Sequence, residues 1–344
     1  MAERFRVGIT RDFLTPEGKL AFRDIGLGLL DENPKIEYEF FPELRSEVTP
    51  DQIENYDAVI AYLVNWTAES FRGVERLALL ARFGVGYDMV DVTACTENDV
   101  ILAITPEGVR DPMAEGTLTL ILTLAKQIIP KEQLLRDGRW HDHKLIYGSC
   151  LTNKVVGSIG IGNIGGQLMR LLEPFGLKSR LAFDPYCSAE MATELGVELV
   201  ELDQLLRDSD FVTINCPLTE QTRGLISTEQ LRLMKPTAYL VNTARGPIVD
   251  QAALTVALRE KKIAGAALDV FEEEPISMND PLLELTNVIL LPHAVGWSDE
   301  ALYGNGAASC RAAINVAVGT MPDCVVNREV LERPGLQAKL QRYR

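Results

Sequence analysis

The chain has 344 residues, of which 47% are hydrophobic and 24% charged, and this length and composition predict a globular protein with two domains. Its formal net charge of −15 disfavours nucleic acid or an anionic membrane as a partner, because both require a basic binding face. No apolar run reaches the roughly 18–20 residues of a membrane helix, the start of the chain lacks the apolar stretch of a signal peptide, and the six cysteines have no CxxC spacing. A cytoplasmic protein with reduced thiols is therefore expected.

Short apolar strands alternate with helical segments through the first part of the chain. Strands are predicted at FRVGIT, IEYEFF, DAVIAYLV, LALLARFG and VILAIT, with helices over 16–31 and 67–76. Continuous apolar strands separated by helices indicate a parallel sheet that is covered on both faces.

A long amphipathic helix is predicted over 112–128, with Pro112 in its first turn. Residues 129–150 lose the helical period and are expected to form an irregular connecting arm. A further helix is predicted over 299–318, and residues 331–344 are expected to be a polar C-terminal tail.

A second alternation of strands and helices lies between the arm and the last long helix. Its predicted strands are 155–161, 179–184, 211–216, 238–243, 265–270 and 287–291, and its predicted helices are 164–174, 189–195, 202–208, 228–234 and 250–261. The expected fold class is α/β, with two Rossmann-like or flavodoxin-like domains built on parallel sheets. One domain is expected to comprise 1–108 plus 299–330, and the other 109–298.

A glycine-rich turn opens the second alternation. Gly160, Gly162 and Gly165 form a GxGxxG pattern that follows an apolar strand, opens a helix and is followed 19 residues later by Asp184. This is the dinucleotide-binding fingerprint: the glycines permit a tight turn, a close approach of the pyrophosphate and close packing of the helix. The alternative is a packing turn without a ligand.

Asp184 bears on the choice of cofactor. Its carboxylate can accept hydrogen bonds from the ribose hydroxyls and would repel a 2′-phosphate, and no Arg or Lys follows in DPYCSAEM to offset that repulsion. NAD is therefore expected rather than NADP, and the domain of residues 109–298 is the expected NAD-binding domain.

Polar side chains follow three later strands, at the edge where a ligand binds in a parallel sheet. Arg245, Asp269 with Glu274, and His293 occupy these positions. His293 and Glu274 suit a proton donor and its carboxylate partner, and the Arg245 guanidinium suits a substrate carboxylate.

Each of these residues also has a structural interpretation. His293 alone fits a core histidine, and the run Glu272–Glu274 fits a solvated acidic loop. Arg245 fits a salt-bridge residue and Asp269 a helix-capping acid.

Seven motifs in order give the chain a resemblance to the NAD-dependent D-2-hydroxyacid dehydrogenases, the family of phosphoglycerate dehydrogenases and glyoxylate or hydroxypyruvate reductases. They are FGVGYDMVD, MAEGTLTLIL, GIGNIG with Asp184, NCPLTEQTRGLI, NTARGPIVDQAAL, ALDVFEEEP and LPHAVG, and they span roughly residues 57–327. Two positions depart from common patterns. Asn215 stands where many relatives carry histidine, and Trp297 follows Gly296 where subfamilies vary, so Trp297 is expected to bear on substrate choice rather than on reaction type.

The resemblance implies residue roles. Arg245, Glu274 and His293 match the catalytic triad, and Asp269 matches the residue that helps to hold the nicotinamide carboxamide. Gly84, Val85 and Gly86 match a loop whose backbone N–H groups, with Arg245, bind the substrate carboxylate. The implied cofactor-binding set is Gly160, Gly162, Asn163, Ile164, Gly165, Asp184, Cys216, Pro217, Thr222, Thr243, Ala244, Asp269 and His293.

The expected function is reversible hydride transfer between nicotinamide and a small 2-hydroxy or 2-oxo acid, in an interdomain cleft of a homodimer. Phosphoglycerate-oxidising relatives place basic side chains after the third strand, but residues 61–71 contain none, so an unphosphorylated acid is expected. The rival interpretation is an NAD(H)-sensing binding protein of corepressor type on the same fold. No metal is expected, since the pair His141 and His143 lacks a clear third ligand and fits a surface or subunit-contact loop.

Overall fold

The computed structural model describes residues 4–342, and they form two compact units. Unit 1 joins the segment that ends at Val109 to the segment that begins at Trp297, and unit 2 spans Arg110–Gly296. Each unit is built on its own sheet, and every strand pair in both sheets is parallel.

The strands and α-helices of the described residues are numbered in chain order. The strands are β1 (Phe5–Ile9), β2 (Ile36–Phe40), β3 (Ala58–Ala61), β4 (Leu79–Arg82), β5 (Ile101–Ala103), β6 (Val155–Ile159), β7 (Ser179–Phe183), β8 (Glu198–Leu199), β9 (Phe211–Ile214), β10 (Tyr239–Asn242), β11 (Gly265–Leu268) and β12 (Val288–Leu290). The helices are α1 (Gly28–Asp31), α2 (Pro50–Ile53), α3 (Val92–Glu97), α4 (Pro106–Lys126), α5 (Ile128–Arg136), α6 (Asn163–Leu171), α7 (Ala189–Leu195), α8 (Leu202–Asp208), α9 (Thr228–Leu233), α10 (Gln251–Arg259), α11 (Asp299–Ala317) and α12 (Pro334–Gln341).

The sheet of unit 1 has the order β2-β1-β3-β4-β5. This is the flavodoxin-like order, in which ligands bind beyond the carboxyl ends of the strands. Strands β3, β4 and β5 are buried along their whole length. Both faces of this part of the sheet are therefore covered by other elements, as the sequence predicts.

The sheet of unit 2 has the order β12-β11-β10-β9-β6-β7-β8. Strand β6, which lies between β9 and β7, carries the glycine-rich turn, and the chain continues outward on both sides of it, which is the dinucleotide-binding arrangement. All the strands predicted for this unit are present, and β8 is an additional edge strand of two residues. The carboxyl ends of β6, β7, β9, β10, β11 and β12 lie at one edge, and the candidate residues follow those ends.

Two helices predicted for unit 1 are wrong. Within 16–31 only α1 is helical, because Gly18 and Gly26 adopt left-handed φ values of +79° and +73° that interrupt a helix. Within 67–76 only a short 3₁₀ helix, Ala68–Phe71, forms, and Gly73 follows it at φ +72°. Phe22, Ile25 and Leu30 of the first segment are buried although only its last four residues are helical, so the apolar pattern misled the prediction.

The region around the predicted arm also differs from expectation. Helix α4 begins at Pro106 and keeps Pro112 inside it, so the predicted first turn lies six residues too late. Residues 129–150 are not irregular throughout, since they contain most of α5 and a 3₁₀ helix, Trp140–Leu145. Gln127, at φ +53°, separates α4 from α5.

The C-terminal segment packs as a helix rather than as a polar tail. Leu336 and Leu340 of α12 are fully buried in unit 1. The Lys339 Nζ donates hydrogen bonds of 2.7 Å to the carbonyl oxygens of Leu77 and Asn98, and its burial lowers its pKa to about 8. Helices in the described part of the chain are all too short or too polar to cross a membrane.

Candidate active site

The glycine-rich turn leaves space for a ligand at one position only. Gly160 is left-handed at φ +88°, and a Cβ there would lie 2.8 Å from the Cys216 amide nitrogen. A Cβ on Gly165 would lie 2.3 Å from the Gly160 carbonyl oxygen, whereas a Cβ on Gly162 would have no atom within 4 Å. Gly160 and Gly165 therefore pack the turn, and Gly162 leaves an open space at the beginning of α6, where free N–H groups favour an anion.

Asp184 lies directly after β7 and faces this turn. Its Oδ2 accepts a hydrogen bond of 3.0 Å from the Ile161 N–H, and its Oδ1 accepts one of 2.9 Å from the Tyr186 N–H. The side chain is only partly buried, so its oxygens can accept further hydrogen bonds from ribose hydroxyls. The geometry fits a dinucleotide whose pyrophosphate lies over Gly162.

The residues after β9 support the turn from its other side. The Asn215 Nδ2 donates hydrogen bonds to Ser158 Oγ at 2.8 Å and to Thr213 Oγ1 at 3.0 Å. Burial raises the pKa of the Cys216 thiol to about 11, so this thiol is neutral near pH 7 and is no nucleophile. Thr222 Oγ1 donates to the Pro217 carbonyl oxygen at 2.7 Å, which closes the loop that follows.

The loop after β10 is held by its own side chains. Asn242 accepts a hydrogen bond from the Ala244 N–H at 3.1 Å and donates one to the Arg245 carbonyl oxygen at 2.9 Å. The hydroxyls of Thr243 and Thr117 lie 2.9 Å apart in a buried contact that joins this loop to α4. These contacts fix the backbone of the loop that carries Arg245, and the predicted cofactor contacts of Thr243 and Ala244 stay predictions.

Gly246 brings the loops after β10 and β11 into contact. A Cβ at this position would lie 1.8 Å from the backbone of Phe271, so only glycine permits the approach. Arg245 and Glu274 consequently belong to adjacent loops, and the positive charge of Arg245 contributes to lowering the pKa of Glu274.

Glu274 and His293 form a direct pair. Glu274 Oε2 lies 2.7 Å from His293 Nδ1, and its Oε1 accepts a hydrogen bond of 2.9 Å from the Phe271 N–H. Burial alone would raise the pKa of Glu274, but the hydrogen bonds from His293 and Phe271 and the nearby positive charges outweigh it and lower the pKa below its usual value. Glu274 is therefore a carboxylate at neutral pH, and a hydrogen bond at Nδ1 leaves Nε2 of His293 to exchange a proton with a ligand.

The backbone after His293 is fixed by Asp269. His293 adopts a left-handed φ of +54°, and the next two amides, of Ala294 and Val295, donate to Asp269 Oδ1 at 2.8 and 3.1 Å. Asp269 is 1% exposed, and this burial raises its pKa despite the two amide hydrogen bonds. The sequence indicated a polar residue here but gave no sign that it organises the turn; its predicted contact with the carboxamide stays a prediction.

Glu272 and Glu273 differ from Glu274. Glu272 is exposed but accepts a hydrogen bond of 3.0 Å from the Gln251 N–H, at the beginning of α10. Glu273 is exposed. The acidic run is thus divided into a helix-capping residue, a surface residue and the partner of His293.

The loop Gly84–Gly86 belongs to unit 1 and follows β4. Gly84, at φ +120°, donates its N–H to the buried Thr105 Oγ1 at 2.7 Å and accepts a hydrogen bond of 3.0 Å from the Thr105 N–H. Its amide is therefore already hydrogen-bonded within unit 1, and the expected role of this loop in binding the substrate stays a prediction. Within the described residues the amides of Val85 and Gly86 make no hydrogen bond, so they are the ones left for a ligand.

The histidine pair of the arm makes local contacts. The His143 Nδ1 lies 2.6 Å from the Trp140 carbonyl oxygen, and the two rings are in edge contact. Among the described residues, no group of three or more His, Cys, Asp or Glu side chains has the arrangement of a metal site.

Comparison with known proteins identifies the family. Residues 118–295 match the family described as "D-isomer specific 2-hydroxyacid dehydrogenase, NAD binding domain". The chain is 37% identical over 316 residues to a glyoxylate reductase of Korarchaeum cryptofilum, which covers 88% of this chain and 95% of the relative. It is 38% identical over 309 residues to a D-3-phosphoglycerate dehydrogenase of Methanocaldococcus jannaschii, covering 89% of this chain and 58% of the relative.

A solved structure shows the same fold over nearly the whole chain. The crystal structure of a D-lactate dehydrogenase from Aquifex aeolicus, complexed with NAD and lactic acid, matches with a TM-score of 0.78 and 25% identity and covers 95% of this chain and 97% of its own. The chain belongs to the D-isomer specific 2-hydroxyacid dehydrogenase family. It is an NAD-dependent oxidoreductase that acts on CH–OH donors, which confirms the class of reaction predicted from the sequence.

Proposed function

We propose that the chain reduces a small unphosphorylated 2-oxo acid to the D-2-hydroxy acid, with unit 2 binding NAD and unit 1 binding the substrate. The observation that carries this proposal is the pair of Glu274 Oε2 and His293 Nδ1 at 2.7 Å, in a unit that also holds the dinucleotide turn. When bound, NADH supplies the hydride that the substrate carbonyl carbon receives.

The side chains of the site supply binding and the proton. In unit 2 the guanidinium fork of Arg245 suits a carboxylate, and in unit 1 the paired N–H groups of Val85 and Gly86 suit one as well. His293 Nε2 donates its proton to the carbonyl oxygen as negative charge develops there, and Glu274 stabilises the imidazolium until that transfer. In the oxidative direction the same nitrogen accepts the hydroxyl proton.

The charges of unit 1 favour an unphosphorylated substrate. Residues 61–71 contain no Lys or Arg. Arg82, which follows closely, is 8% exposed and lies under Gly84, so it contributes positive potential beneath the loop rather than an exposed cation. In unit 2, Arg110 pairs with Asp111 at 3.0 Å. A phosphate would find few exposed cations on these segments.

We further propose a homodimer in the cytoplasm. The segment 128–147, called the exposed segment below, carries large apolar side chains that face water: Ile128, Ile129, Leu135, Trp140, Leu145 and Tyr147. A concentration of exposed apolar groups of this kind is typical of a protein interface. All six cysteines are free, which suits a reducing compartment.

The test is oxidation of NADH with a panel of 2-oxo acids and with 3-phosphohydroxypyruvate. We expect the kcat/KM for unphosphorylated acids to be at least tenfold above that for the phosphorylated compound. A buried phosphate charge without a cationic partner lowers affinity by about tenfold or more. A preference for the phosphorylated acid would overturn the substrate assignment. Tight NADH binding without turnover of any acid would favour the NAD(H)-sensing alternative.

A further inference from the structure

Unit 1 contains a cluster of aromatic rings beside the loop Gly84–Gly86. Neighbouring rings have centroid separations of 5.1 to 6.2 Å, within the range of attractive aromatic pairs. The members, called the aromatic cluster, are Phe13, Phe22, Tyr62, Phe83 and Trp297.

The aromatic cluster has a buried base and an exposed edge. Phe13 and Phe83 are 0% and 3% exposed, whereas Trp297 is 54% exposed and touches the cluster through Phe22, at 5.8 Å between centroids. Leu63, which follows Tyr62, is 55% exposed. Two large apolar side chains therefore stay in water next to a core that is otherwise closed.

The cluster is fixed in position relative to the loop. Phe83 directly precedes Gly84, and its N–H donates to the Ala61 carbonyl oxygen at 2.8 Å, while Gly84 is held by Thr105. The carboxylate and the side chain of a 2-oxo acid are both attached to the carbonyl carbon. A substrate whose carboxylate lies on the Val85 and Gly86 amides must therefore place its side chain within a few ångströms of the loop.

Polar groups near the cluster are occupied. Asp12 accepts hydrogen bonds from the Leu63 N–H at 2.6 Å and from Thr10 Oγ1 at 2.5 Å. Burial raises the pKa of Tyr62 to about 12, so its phenol is uncharged. On the outer side, Arg23 and Asp299 form an ion pair at 2.7 Å that joins the Phe22 segment to the beginning of α11, next to Trp297. The exposed edge is thus apolar, with its charged neighbours paired.

We propose that Trp297, with Phe22 and Leu63, binds the side chain of the substrate and makes the enzyme selective for 2-oxo acids with an apolar side chain of three or more carbons over glyoxylate. This inference rests on the proposed function and adds a specificity role for Trp297. An apolar side chain that packs against the exposed indole of Trp297 is favoured, because the contact removes apolar surface of both groups from water.

The test compares kcat/KM for glyoxylate, pyruvate, 2-oxohexanoate and phenylpyruvate in the parent, Trp297→Ala and Trp297→Phe. In the parent we expect 2-oxohexanoate and phenylpyruvate to exceed glyoxylate by at least tenfold. Trp297→Ala should lower kcat/KM for 2-oxohexanoate and phenylpyruvate about tenfold, through a higher KM, because the loss of a few methylene-sized contacts costs about tenfold in kcat/KM. The kcat/KM for glyoxylate, which has no side chain, should stay within about twofold. Trp297→Phe should lie between the two.

Leu44→Ala is the matched control, because Leu44 is an exposed apolar residue of the same unit outside the aromatic cluster. It should leave the whole panel unchanged. A parent that prefers glyoxylate, or an equal loss on all four acids in Trp297→Ala with an unchanged melting temperature, would overturn the specificity role while leaving the reductase intact. Absence of turnover with every acid in the parent would instead defeat the proposed function.

Discussion

His293 combines an unfavourable backbone with a fixed side chain. A non-glycine residue in the left-handed region costs about 1–2 kcal/mol, and His293 has φ +54°. The two amides that follow donate to the buried Asp269 carboxylate, and hydrogen bonds to charged groups contribute about 1.5–3 kcal/mol each. The strain is therefore offset locally, and the imidazole is held toward Glu274. A strained backbone conformation that the surrounding contacts hold in place is typical of functional residues.

Replacing His293 tests its role as the proton donor. His293→Gln removes the donor, and we expect kcat for reduction to fall by about 10²–10⁴ while the Kd of NADH stays within about twofold. Steady-state kinetics and cofactor fluorescence titration measure the two quantities. Parent-like turnover in this variant would show that the proton comes from another group.

Glu274→Gln tests the carboxylate partner by its pH profile. The lowered pKa of Glu274 keeps it ionised through the assay range, so it stabilises the imidazolium throughout. Reduction consumes that proton, and its rate falls at alkaline pH. Without the carboxylate we expect the alkaline limb of kcat/KM to move to lower pH, because the negative charge that favours the protonated ring is lost.

The control for this experiment is Glu273→Gln, which removes an exposed carboxylate from the same loop. Its pH profile should overlie that of the parent. An unshifted limb in Glu274→Gln, or an equal shift in both variants, would mean that the pairing does not set the pH dependence.

Asp184 should determine the preference for NADH over NADPH. Its carboxylate lies beside the turn, and a 2′-phosphate near it would be repelled by like charge. We expect the parent to favour NADH by at least about tenfold in kcat/KM, and Asp184→Asn to narrow the ratio while keeping an oxygen for the Ile161 N–H. A parent that prefers NADPH would contradict this assignment.

At the scale of elements, the glycine-rich turn separates packing from ligand binding. Gly165→Ala places a Cβ 2.3 Å from the Gly160 carbonyl oxygen, so we expect a lower melting temperature in the absence of cofactor. Gly162→Ala meets no atom within 4 Å, so its melting temperature should stay near that of the parent. The added methyl occupies the space over which the pyrophosphate is proposed to lie, and the Kd of NADH should rise about tenfold or more.

These two variants control for each other, since both add one methyl to the same turn. Thermal denaturation and NADH titration of the apo proteins distinguish the outcomes. An unchanged Kd in Gly162→Ala would show that the cofactor does not approach this glycine.

Strands were predictable from the sequence, but several helices were not. Every predicted strand is present, and most of them are the continuous apolar runs that buried parallel strands require, whereas the edge strand β2 alternates apolar with charged residues. The segment 16–31 also contains apolar residues, yet Phe22 and Ile25 are buried through long-range aromatic and helix contacts, not through a helical face. Local periodicity carries no information about such contacts.

The candidate site was predictable as a set of residues but not as a geometry. The strand ends identified Arg245, Glu274 and His293, because parallel strands deliver their following residues to one edge. The contact of Gly246 with Phe271 and the use of the Gly84 amide by Thr105 depend on distances between segments far apart in the chain. Trp297 was expected to bear on substrate choice, but its partner Phe22 lies 275 residues earlier and has no sequence signature.

At the scale of the molecule, the chain leaves unit 1, builds unit 2 and returns to complete unit 1. Helix α11 contributes Cys310, Ala313 and Val316 to the first core, and α12 closes it with Leu336 and Leu340. Unit 1 therefore needs the C-terminal residues for its core, although it is assembled mainly from the first hundred residues. The buried Lys339 anchors the last helix through backbone carbonyl oxygens.

The exposed segment 128–147 gives the last prediction, which concerns association with a second copy of the chain. Trp140 and Leu145 are 64% and 68% exposed, and a stable interface buries about 800 Å² on each partner around such apolar anchors. We expect the parent to sediment with the mass of two chains, and the double variant Trp140→Glu with Leu145→Glu to sediment as one chain, because a charge buried without a partner costs more than the contact it replaces. Met278→Glu is the matched control, since Met278 is an 84% exposed apolar residue of the same unit outside the exposed segment, and it should leave the mass unchanged. A monomeric parent, or a double variant that still sediments as two chains, would show that these side chains do not form the subunit contact.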